Sequence, residues 1–136
     1  MPHNRRPRPG SKFFLPKYEY QTVVNFCLSY NGLKQRLNAI GGAPAIRYDG
    51  MPHGNSTGDP TANDAMLAMK LTNKIRMIEE TTRECTGDSL YPPMLEFITN
   101  EAMTYDQICT RYDVPIGRRQ FLTLRRKVYW EIAQVM

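Results

Sequence analysis

Apolar side chains recur every three or four positions in each regular stretch of the chain, the period of a helix packed on one face. Tyr20, Val23, Cys27, Tyr30 and Leu37 mark a first helix from Lys17 to about Ile40, with Lys34 interrupting the stripe. Pro16 sets its start, Asn31-Gly32 bends or breaks it, and Gly41, Gly42 and Pro44 end it. Ala65, Ala68, Leu71, Ile75, Ile78, Thr82 and Cys85 mark a second, long helix that starts at Asp59-Pro60 and stops at Gly87. Its spacing from Ala68 onward is that of a narrow packing seam, which Met66, Met69 and Met77 widen. A helix of that length needs a partner, either the first helix folded back as a hairpin or a second copy of the chain.

The C-terminal third predicts three shorter helices. Ser89–Thr99 carries Pro92 and Pro93 in its first turn, buries Met94, Leu95, Phe97 and Ile98, and stops at Asn100. Thr104 caps the next, with Gln107 completing a capping box and Ile108 and Cys109 pointing inward. The last runs from about Ile116-Gly117 to Gln134, with Phe121, Leu124, Val128, Ile132 and Val135 inward. The expected fold is all-α, a long-helix hairpin followed by a helix-turn-helix module. Its parts are a flexible arm at 1–16, an N-terminal helix at 17–42, a Gly/Pro-rich linker at 43–59, the long helix at 60–87 and the module at 88–136.

In a helix-turn-helix the first helix carries a small residue where the second crosses it, and the turn needs a residue tolerant of positive φ. Cys109 and Asp113 stand at those places, Val114 follows, and Phe121 and Leu124 form the packing pair. That pair falls about two residues late, so the turn through Pro115 and Gly117 is longer than the standard one.

Charge changes this picture from scaffold to binder. The net charge is +5 over 136 residues, and it is segregated. Residues 1–17 hold five Lys/Arg and no acid, residues 114–127 hold five and no acid, and residues 48–110 hold four against ten Asp/Glu. Two basic ends on an acidic middle fit a protein that meets a polyanion with particular surfaces. Arg118, Arg119, Gln120 and Thr123, in the first turns of the last helix, are residue types that read base edges. Arg125, Arg126 and Lys127 stand further along, where phosphate contacts are expected. Arg5, Arg6 and Arg8 in the arm are phosphate or minor-groove candidates. Without DNA, the same residues would form a solvated basic face and a solubilising tail.

Other chemistry is not indicated. Cys27, Cys85 and Cys109 are odd in number and widely spaced, so they suggest small apolar residues and neither a disulfide framework nor a zinc site. His3 and His53 have no partners that would make a metal site. The glycine-rich stretch at 43–59 lacks any phosphate-loop pattern. No nucleophile stands beside a base, so neither an enzyme nor a cofactor is expected. No apolar run is long enough to span a membrane, which predicts a cytoplasmic protein.

Three segments carry a family resemblance: RYDGMPHGNSTGDPTANDAM (Arg47–Met66) with the long helix after it, TYDQIC, and DVPIGRRQFLTLRRKVYW. Across residues 47–134 the chain resembles phage-encoded transcriptional regulators of the ArpU/RinA kind, whose C-terminal part is similar to region 4 of sigma factors. The resemblance implies a phage or prophage late-gene activator in the bacterial host cytoplasm. Double-stranded DNA would be its ligand, RNA polymerase a partner, and Arg118, Arg119, Gln120 and Thr123 the reading residues. Two rivals stand beside it: a small DNA-packaging subunit, and a helical protein-interaction adaptor that binds no DNA. Dimerisation through the long helices is compatible with any of the three.

Overall fold

A computed structural model of the chain describes residues 6–42 and 58–136, with residues 41–42 and 58–61 described by their backbone alone. Arg5, His3, His53, residues 43–57 of the expected linker and much of the Arg47–Met66 segment lie outside the described residues. Those described are all-helical: six α-helices and one π-helical turn, with no strand among them. They gather into two compact units, one running through Ser29 and resuming at Met77–Met136, the other Tyr30–Arg76.

The first unit opens with α1 (Lys17–Leu28), which buries Tyr20, Val23 and Cys27. The expected single helix breaks at Ser29, before Asn31-Gly32. The Ser29 hydroxyl donates to the Phe26 carbonyl at 2.6 Å, a side-chain bond that competes with helix continuation. In this unit α3 (Gly58–Thr86) contributes its last turns, with Ile78 and Thr82 fully buried. Gly87 follows at φ 83°, the left-handed stop expected of a C′ glycine. Next come α4 (Tyr91–Thr99), α5 (Tyr105–Arg111) and α6 (Arg118–Val135). Around them the core is Met94, Phe97 and Ile98 of α4, Ile108 of α5, and Phe121, Val128, Tyr129 and Ile132 of α6. Each such side chain contributes roughly 1.5–3 kcal/mol on burial.

Three departures from the expected packing matter. The main partners of α1 are α6 and α4, and the Tyr20 and Tyr129 rings meet edge-on at 5.6 Å. Cys109, expected where two helices cross, is exposed, and the buried residue of α5 is Ile108. On α6 the buried stripe is Phe121, Arg125, Val128, Tyr129 and Ile132, while Leu124 is half-buried and Val135 is exposed.

The second unit holds α2 (Tyr30–Leu37), a π-helical turn (Asn38–Gly42) and α3 up to Arg76. Its buried side chains are Tyr30 and Leu33 on α2 and Leu71 and Ile75 on α3. The seam is therefore buried at Leu71 and Ile75, half-buried at Ala68 and exposed at Ala65. Met66, Leu67 and Met69 are also exposed. The long helix already begins at Gly58, one residue before the expected Asp59 cap.

Candidate functional site

The direction in which α6 presents its charges is set by Phe121. Its ring lies 5.3 Å from Phe97 and 5.6 Å from Tyr105, wedged between α4 and α5. Ahead of it, Tyr112–Gly117 forms the long connection inferred from the late packing pair, extended at both ends, and the Tyr105 hydroxyl donates to the Ile116 carbonyl at 3.3 Å. Behind that connection, Glu96 accepts from the Tyr112 hydroxyl at 2.7 Å and pairs with Arg111, fixing the end of α5 on α4. The Thr104–Gln107 capping box holds the other end of α5. With Phe121 inward and about 100° per residue, Arg119, Thr123 and Arg126 share one flank of α6, with Arg118 beside them at the edge of the inward stripe in its first turn.

Facing that flank is the N-terminal segment. Residues 6–16, expected to be a flexible arm, are folded onto the unit. A turn closes through Ser11 N–H to the Arg8 carbonyl at 3.0 Å, with Gly10 at φ 91°. Such a φ suits glycine because it has no Cβ to clash. Pro7 and Leu15 are buried, and the Phe13 ring stands 6.1 Å from Trp130 of α6.

The two segments enclose a cleft of about 660 Å³. Arg6, Arg8 and Lys12 line one side, Arg118, Arg119 and Arg126 the other, with Thr123 and Leu122 between them and no acidic residue in the lining. None of these six cations is ion-paired among the described residues. Arg6 lies over Phe14, Lys12 over Phe13 and Arg118 over Tyr105, at 5.9, 5.5 and 5.7 Å from the ring centres. Such contacts orient a cation without neutralising it. Cations with no compensating acid, concentrated in a concavity, focus a positive potential onto a polyanion.

Three of the residues named from sequence do not join this cleft. Arg125, expected on phosphate, is 5% exposed, and its guanidinium lies 4.7 Å from the Phe97 ring centre. Burial lowers its pKa from the ordinary guanidinium value, with Tyr129 and Tyr20 opposing and Arg126 and Arg118 adding to the drop. The physical reason is that an arginine stem and planar head fill apolar space against an aromatic ring. Gln120 and Lys127 stand on the next face of α6. Lys127 is near enough to Cys85 to oppose the rise of its thiol pKa, which burial pushes up to about 11 with help from Glu131. Conversely, Lys12, which the sequence marks only by its charge, belongs to the cleft. The available signal was Phe13 two positions after Ser11, an apolar anchor inside a basic segment.

Comparison with protein-family models, with characterised proteins and with solved structures yields no match for the chain.

Proposed function

We propose that this chain is a sequence-specific DNA-binding regulator of transcription that works without catalysis or cofactor. The observation that carries the proposal is the union of two basic segments, far apart in sequence, in one acid-free cleft beside the first turns of α6. In this reading α5, the 112–117 connection and α6 act as a loosened helix-turn-helix of the sigma region 4 kind, held to shape by Glu96 and Phe121. The similarity to ArpU/RinA regulators extends the proposal to phage or prophage late genes, with RNA polymerase as a further partner. The exposed Met66, Leu67 and Met69 favour self-association through α3, which light scattering would detect as a dimer mass.

The test is a mobility shift on phage promoter DNA across a salt series. Replacing Arg118 and Arg119 together by Ala is expected to weaken binding more than tenfold and to flatten the salt dependence. Unchanged affinity would leave the adaptor reading in its place.

A further inference from the structure

The walls of the cleft come from opposite ends of the chain, and an aromatic contact between Phe13 and Trp130 joins them. Taking the chain as a DNA-binding protein, we infer that the cleft is a preformed clamp for one sugar-phosphate strand of a DNA duplex. Trp130 acts as the positioning residue that holds its N-terminal wall in place.

Four observations lead there. The lining offers cations from both sides and hydroxyls at Ser11 and Thr123, all donors, which is the chemistry of a phosphodiester. Phe13 and Leu122 add apolar surface of the kind a deoxyribose covers. A volume of about 660 Å³ admits a short length of backbone and is far too small for a duplex. Finally, Phe13 stands against Trp130 further along α6, so the flank that lines the cleft is open only in the first turns of the helix. The helix must therefore meet a groove by its N-terminal end while the neighbouring strand lies between helix and arm. The buried Leu15 and Pro7 and the Gly10 turn order that wall before DNA arrives, so little ordering entropy is lost on binding.

The clamp differs from a tethered arm of equal charge in one measurable respect. Each phosphate neutralised on duplex DNA contributes about 0.9 to the slope of log affinity against log salt. In filter binding to a mixed-sequence duplex, Arg8→Gln with Lys12→Gln is expected to lower that slope by about two. Trp130→Ala, which changes no charge, is expected to lower it by a similar amount and to weaken binding at least tenfold at low salt. Phe13→Ser, on the arm itself, serves as the second variant should Trp130→Ala lose its helical circular dichroism. If both folded aromatic variants keep the parent slope and affinity, the arm is not a held wall and the inference is overturned. The same follows if Arg8→Gln with Lys12→Gln leaves the slope intact. If Arg118→Ala with Arg119→Ala also binds like the parent, the DNA reading itself fails, a result distinguishable from failure of the clamp alone.

Discussion

At position 125 an arginine fills a place between Phe121 and Val128 on the inward stripe of α6, its guanidinium against Phe97. Truncation to Ala would remove the stem as well as the charge, and about 2–4 kcal/mol of stability is expected to go with it, read as a lower urea midpoint. Arg125→Met keeps a flexible apolar stem and removes a buried charge, so its effect should stay within about 1 kcal/mol of the parent. Equal losses for the two variants would show that the guanidinium matters and the stem does not. Nothing in the hydropathy of Arg125 and Arg126 separates them. Helical spacing puts 125 on the stripe of Phe121, Val128 and Ile132 and leaves 126 off it, and the aromatic surface of α4 gives the Arg125 guanidinium its place there.

At the scale of elements, the features read correctly from sequence are those whose cause is local. Thr104 and Gln107 are three residues apart and close their box within one turn. Gly87 supplies a positive φ where α3 must stop, and Asn100 ends α4 after Pro92 and Pro93 open it. The partners of each helix are another matter. Tyr20 and Val23 make α1 amphipathic whether it packs on the long helix or on α6, so the stripe alone could not choose. The Glu96 contact was equally invisible, because Arg111 and Tyr112 lie at sequence separations of 15 and 16. This contact supports the 112–117 connection, and Glu96→Ala is expected to cost about 1–2 kcal/mol in urea denaturation, discounted for the exposure of Arg111. Glu96→Gln retains an acceptor for the Tyr112 hydroxyl and should lose about half as much. Identical midpoints for Glu96→Ala and the parent would show that this contact does not hold the end of α5 in place.

At the scale of the whole molecule, stability is vulnerable to alkali, through two buried groups on α1 and a third group on α3. Burial raises the thiol of Cys27 above the ordinary value of 9.0, and burial, opposed by Arg125 and Arg126, raises the hydroxyl of Tyr20 above 10.0. Cys85 is pushed to about 11. For a raised acid the folded state keeps a proton that the unfolded state releases. The stabilisation is therefore intact below the unfolded pKa and is lost as pH climbs toward the folded one. The urea midpoint is expected to hold level up to about pH 8 and to fall by about pH 10.5, with Cys27→Ala removing part of the decline. A midpoint unchanged over that range would mean that these groups titrate alike in both states. The basic ends were legible as charge runs; their meeting was not, because it depends on Phe13 and Trp130, which carry no charge.

That meeting has an optical consequence. Trp130 is the chain's single tryptophan, half-buried where the arm docks. Emission excited selectively from tryptophan, sparing the eight tyrosines, is therefore a signal from one contact. Lifting the arm would expose the indole to water and shift that emission to longer wavelength, so the chain reports on its own N-terminal segment without a label.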